Sequence, residues 1–370
     1  MAYSPRRLTS LTALSGLLVA CALGAGSAAA DPADAACGDV ASMSTRDKLA
    51  QLLMVGVTGA ADARAVVENQ HVGGIFIGSG TDLSMLGAPL ADIAGAAAPL
   101  ALAVSVDEEG GRVSGLASVI GPQPSPRELA RTHTAAEVHD IALQRGQAMR
   151  GLGITIDFAP VVDVTSAGDG SVIGDRSFGA DPAVVSEYAG AYAQGLRDGG
   201  VVPVLKHFPG HGHASGDSHT GSVTTPPLAD LQNNDLVPYR TLTAAAPVGV
   251  MVGHLQVPGL TGGGPASLSP AAYNLLRSGG YGGPGFGGAV FTDDLSSMAA
   301  ISQRYGVAEA ALRALQAGAD NALWVSTGQV PAVLDRLERA VGSGELPMAR
   351  VDESVQRVAA LKGASPRCGL

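Results

Sequence analysis

Residues 206–220 read KHFPGHGHASGDSHT and place four histidines, a lysine and an aspartate within fifteen positions. A packed core has no need of so many titratable groups. Three readings are open to the stretch. Asp217 and His219 are spaced so that a carboxylate can orient an imidazole, and an imidazole exchanges protons near neutral pH. His207, His211, His213, Asp217 and His219 could instead hold a metal ion, although a glycine-punctuated loop lacks the fixed helical spacing of a zinc protease. The blandest reading is a solvated polar loop. The acid/base reading is carried forward, with no metal and no cofactor expected.

Val201-Val202-Pro203-Val204-Leu205 precedes Lys206 and reads as a buried strand, so Lys206 and His207 sit at its C-terminal end. Similar apolar runs recur at residues 53–57, 73–78, 102–107, 154–164, 201–207, 248–254, 289–293 and 322–326. Alanine-rich helical patterns at 60–70, 126–150, 182–198, 228–246 and 297–317 lie between them. Eight alternating units predict an α/β protein with a single (β/α)8 TIM-type barrel. An open doubly wound sheet is the alternative, but no G-x-G-x-x-G follows a strand at the required place. In a barrel, Asp107, Asp163, Lys206, His207, His254, Asp293 and Asp294 all fall at strand C-termini and converge on one mouth. Asp163 and Asp294 read equally well as helix N-caps.

The 370 residues are 46% apolar and only 4% aromatic, which bounds the chain to a globular core of small aliphatic side chains. A formal charge of −10 argues against non-specific nucleic-acid binding. Arg6, Arg7 and the apolar run 11–20 read as an export signal over residues 1–20, too short to span a bilayer. The run ends in Leu18-Val19-Ala20-Cys21, which resembles a bacterial lipobox. Cys21 would then be lipidated and anchor the chain to the outer face of the cytoplasmic membrane. Ala28-Ala29-Ala30 offers ordinary cleavage and a secreted product instead. Residues 21–38 read as a tether and 39–370 as the catalytic barrel. Export permits a disulfide between Cys37 and Cys368, a closure worth about 4–5 kcal/mol in the chain-entropy description.

Four motifs occur in a telling order: DEEGGRV at 107–113, IGDRSFGADP at 173–182, KHFPGHG followed by DSH at 206–219, and FTDDL at 291–295. Together they resemble glycoside hydrolase family 3, and within it the single-barrel β-N-acetylglucosaminidases. The resemblance implies a retaining glycosidase with Asp293 as nucleophile, His219 as acid/base and Asp217 as its partner. It implies sugar contacts from Asp107, Arg176, Lys206 and His207, and a structural role for Asp294. Arg112 and His254 are expected to orient neighbours, His211 to be loop structure and His213 to face solvent. The loop glycines are expected to let His219 swing in as substrate binds.

The chain departs from the family pattern at Glu108 in place of glutamine, at Thr292 in place of serine, and in Leu295-Ser296-Ser297-Met298, which carries one more serine than the usual L-S-M run. Gly115 stands where relatives often carry a substrate-touching arginine. The expected activity is exo-acting hydrolysis of terminal N-acetylglucosamine from cell-wall muropeptides or related glycans. Phosphorolysis, β-glucosidase or β-xylosidase activity, a metal-dependent hydrolase and a non-catalytic glycan-binding lipoprotein are the competing functions.

Overall fold

The computed structural model describes Met1 and residues 40–363. Its eight principal strands are β1 (Leu53–Gly56), β2 (Gly74–Ile77), β3 (Ala103–Val106), β4 (Ile156–Asp157), β5 (Val202–Phe208), β6 (Gly249–Val252), β7 (Val290–Thr292) and β8 (Ala322–Trp324). All pair in parallel, in the order β7-β6-β5-β4-β3-β2-β1-β8. A bridge between Phe291 and Asn321 joins β7 to β8 and closes the ring. Side chains reinforce that seam: Thr292 Oγ1 accepts the Leu323 amide at 3.0 Å, and the Asp320 carboxylate accepts the Val290 amide at 2.9 Å. The expected (β/α)8 barrel is the observed fold.

Parallel strands covered by helices are buried on both faces and so read as continuous apolar runs. One side chain from each strand fills the interior: Met54, Phe76, Ala103, Ile156, Val204, Met251, Phe291 and Leu323. The rings of Phe76, Phe158 and Phe291 span the barrel, with centroids 5.9 and 5.5 Å apart. The alternate strand positions face the surrounding helices, α1 (Ala60–Gln70), α2 (Ala88–Ala96), α3 (Ala135–Gly151), α4 (Pro182–Asp198), α5 (Tyr239–Leu242), α6 (Pro270–Arg277), α7 (Val307–Ala317) and α8 (Val330–Ser343).

α1 and α4 keep the bounds expected from the sequence, and three longer patterns are broken. Residues 126–150 divide into Pro126–Thr132 and α3, because Thr134 and Glu137 form a reciprocal capping box that starts a new helix. The pattern 228–246 yields only Leu228–Asn233 and α5, and 297–317 restarts at Gly306. Helices α3 and α4 cross closely. A Cβ on Gly195 would lie 2.3 Å from His139 O and 2.8 Å from Ala142 Cβ, so only glycine fits there.

The face opposite the mouth is closed by the first and last described helices, Thr45–Ala50 and Met348–Lys362. Lys48 pairs with Asp352 at 2.8 Å, and Lys362 Nζ donates to Gln51 Oε1 at 2.8 Å. Buried Asp320 gathers Arg277, Arg350, Arg357 and Ser354, which ties α6 and the last helix to the foot of β8. Both ends of the described chain therefore leave from this lower face. Cys21, Cys37 and Cys368 lie outside the described residues, as do the expected signal segment and tether. Among the described residues, no helix is long and apolar enough to cross a membrane.

Candidate active site

The C-terminal ends of the strands surround a cavity of about 640 Å³ lined by Asp107, Glu109, Arg176, Lys206, His207, His211, His219, Asp293 and Asp294, among others. Five of the seven polar strand-end residues reach its wall. The other two stand directly behind it. Buried Asp163 accepts His207 Nδ1–H at 2.7 Å and the His211 amide at 2.7 Å, which orients His207. Buried His254 donates from Nε2 to the Asp294 carbonyl at 2.8 Å while its Nδ1 faces Ser267 Oγ at 2.7 Å. Burial lowers the His254 pKa, in keeping with the neutral tautomer these bonds require.

Lys206 and His207 both face the cavity, and the peptide joining them is cis. Lys206 Nζ bridges Asp107 Oδ1 at 2.5 Å and Glu109 Oε1 at 2.6 Å. Arg176 reaches Glu109 with two bonds of 2.8 Å in a bidentate fork. Burial pushes the Glu109 carboxyl up, but the charges of Arg176 and Lys206 more than reverse this and hold it well below the carboxylate range. Conversely, burial lowers the Lys206 ammonium, and Asp107 with Glu109 raises it above its ordinary value. The result is a fixed set of donors and acceptors suited to ring hydroxyls.

Asp293 follows β7. Burial raises its carboxyl, while His254, His207, the Asp294 amide at 2.9 Å and Lys206 bring it below its ordinary pKa, so it is ionised at neutral pH. His219 also lines the cavity, and its Nδ1 lies 2.8 Å from Asp217 Oδ1, which accepts the His219 amide at 2.9 Å. With Nδ1 engaged, Nε2 is the ring nitrogen left to exchange a proton. The geometry thus places the half-buried Asp293 carboxylate and the His219 imidazole, oriented by Asp217, on one cavity.

This region belongs to a wider pattern of relatives. The description "Glycosyl hydrolase family 3 N terminal domain" matches residues 44–361. The chain belongs to glycosyl hydrolase family 3. Beta-hexosaminidase LpqI of Mycobacterium tuberculosis is 65% identical over 99% of both chains, and its solved structure superposes with a TM-score of 0.89, covering 92% of this chain and 99% of that one. A family 3 glycosyl hydrolase of Mycobacterium smegmatis is 76% identical, with a TM-score of 0.87 over 88% of this chain and 99% of the other. A family 3 β-N-acetylglucosaminidase from Paenibacillus is 34% identical, with a TM-score of 0.79, covering 87% of this chain and 62% of its own. The protein is a glycoside hydrolase.

Residues 108–115 surround this set in different ways. Glu109, not singled out from the sequence, is the buried link between Arg176 and Lys206. Neighbouring Glu108 points away from the cavity to Arg145, Ser114 Oγ and the Leu116 amide. Arg112 is engaged with the carbonyls of residues 169, 171, 172 and 173 and lies 3.3 Å from Asp175, which matches the orienting role expected of it. At Gly115 an added Cβ would press on Val106 Cγ2 at 3.2 Å and Asp107 O at 3.4 Å.

The histidine loop is less free than its glycines suggest. Gly210, at φ +129°, packs where a Cβ would meet Asp235 Cβ at 2.4 Å, so it serves close approach as well as turning. His211 is buried on the cavity wall, and His213 is exposed as expected, with its Nδ1 3.0 Å from Asp235.

Proposed function

We propose that the protein is a retaining exo-acting β-N-acetylglucosaminidase. The observation that carries the reading is the placement of Asp293 and of His219, held by Asp217 outside the lining, on one cavity ringed by Asp107, Arg176, Lys206 and His207. The printed names of the relatives, beta-hexosaminidase and β-N-acetylglucosaminidase, support the choice of sugar.

In the first step an Asp293 carboxylate oxygen bonds to the anomeric carbon as the glycosidic C–O bond breaks, and protonated His219 gives its Nε2 proton to the departing oxygen. In the second, neutral His219 takes a proton from water, the water oxygen bonds to the anomeric carbon, and the Asp293 ester bond breaks. Asp217 holds the ring through Nδ1 in both steps. Asp107, Arg176, Lys206 and His207 hold the sugar hydroxyls.

Aryl glycosides of N-acetylglucosamine, glucose and xylose compared side by side test the sugar, and repeating the assay with phosphate separates hydrolysis from phosphorolysis. A slowly turned-over fluorinated sugar should label Asp293. Labelling of Asp294, or turnover of glucosides and xylosides alone, would overturn the assignment.

The finer reading is an exported lipoprotein anchored through Cys21 to the outer face of the cytoplasmic membrane, acting on muropeptides or related glycans released from the wall. The lipobox-like Leu18-Val19-Ala20-Cys21 run supports it. Cys37 and Cys368 would form a disulfide in that compartment, which peptide maps with and without reductant would reveal.

A further inference from the structure

The Asp294 carboxylate is buried and takes four donors from the next three residues: Ser296 N at 2.8 Å, Ser296 Oγ at 2.7 Å, Ser297 N at 3.1 Å and Ser297 Oγ. Its carbonyl receives His254 Nε2, and its amide donates to Asp293 Oδ1. Residues 294–297 are therefore closed into a turn fixed to the nucleophile strand. Met298 follows in an extended conformation, φ −84° and ψ 120°, and the short helix Ala299–Ser302 begins.

The first amides of a helix have no partner within it. In this short helix two of them meet the His219 loop: Ala299 N donates to His219 O at 3.3 Å, and Ala300 N donates to Ser218 O at 3.2 Å. Arg304 adds a bond to Ser222 Oγ at 3.0 Å. The base of the His219 loop is pinned separately, through the His211 amide on Asp163 and the Ser215–Thr224 pairing. Bonds at its tip run mostly within the tip itself, from the Thr220 and Gly221 amides to Asp217 O. The short helix thus sets where the tip, and with it the His219 ring, sits over the cavity.

We infer that Asp294 is a positioning residue: its serine cage aims the Ala299 and Ala300 amides so that the His219 loop is latched over the cavity that Asp293 lines. Ser296 and Ser297, which between them carry one serine more than the usual L-S-M run, are the two cage residues. The inference rests on the reading of His219 as the acid/base. It goes beyond that reading by assigning control of the loop to a different strand, β7.

Two variants probe the latch: Ser297 also lines the cavity, whereas Ala299 stands outside its lining and carries the cleaner test. Ser297→Ala removes one cage hydroxyl. Ala299→Pro deletes one latch amide at the first helical position, where proline is tolerated and Met298 already has the extended conformation that a following proline requires. Each would be assayed, beside His219→Ala, on N-acetylglucosaminides with phenol leaving groups of graded acidity. The ratio of kcat/KM between the poorest and best leaving group does not depend on the fraction of folded enzyme. Misplacing the acid by about 1 Å should lower that ratio by about tenfold or more in both variants, in the same direction as His219→Ala. Labelling of Asp293 by an activated fluorosugar should proceed at the wild-type rate.

An unchanged ratio in both variants, with a graded profile kept by His219→Ala, would overturn the latch. A flat profile in His219→Ala itself would overturn the acid/base reading, and the latch with it.

Discussion

Asp235 touches neither Asp293 nor His219, yet its ionisation bears on stability. Burial pushes its carboxyl up to about 6 against the pull of His213. A carboxyl raised in the folded state contributes stability below its unfolded pKa of about 3.8, and that contribution is lost as pH rises through 6. Asp235→Asn keeps an oxygen for His213 and removes the titration. The stability of Asp235→Asn relative to wild type should therefore rise between pH 4 and 6.5, by on the order of 2 kcal/mol, in urea unfolding followed by circular dichroism. Glu109 has the opposite sign. Its carboxyl is depressed when folded, so its contribution is full at neutral pH and falls away below about 4.5. Glu109 was within reach of the sequence, because residues 107 and 109 of an extended segment share a face while 108 takes the other. Asp235 was not, because nothing near it in the chain shows that it would lie under Gly210.

At the scale of elements, the strands were the legible part. Runs of fully buried residues in a parallel barrel are apolar on both faces, so each of the eight announces itself without regard to its neighbours. Helix boundaries depended on local chemistry that alanine-rich stretches conceal. The Thr134-x-x-Glu137 box was readable and marks the true start of α3; Pro238, next to α5, interrupts the pattern drawn through 228–246. The α3–α4 crossing could not be read, because Gly195 looks from the sequence like any weak point in a helix, whereas His139 O occupies the space of its missing Cβ. Gly195→Ala should raise intrinsic helix propensity and still destabilise the protein by about 1–3 kcal/mol through overpacking. Chemical denaturation checks this, and an increase in stability would mean that the two helices part without cost.

For the whole molecule, the cluster of polar residues at one mouth was legible once eight strands were counted, since a barrel brings their C-terminal ends together. The grouping of Asp107, Arg176, Lys206, His207 and Asp293 on one cavity agrees with that expectation. The latch between the β5 and β7 loops was not legible, because it is built from backbone amides that carry no sequence signature. At the other end, Cys21→Ser should shift the enzyme from the membrane to the soluble fraction of fractionated cells; a wild-type protein already soluble and beginning at Asp31 would refute the anchor. If the anchor holds, the position of the chain ends has a consequence for what the enzyme meets. Residues 22–39 separate Cys21 from Val40, a leash of at most about 60 Å when fully drawn out. The chain enters on the lower face, beside Thr45–Ala50, and the mouth opens at the opposite pole. A leash of that reach lets the barrel stand clear of the bilayer, so that its mouth can meet sugar chains in the wall well above the membrane surface.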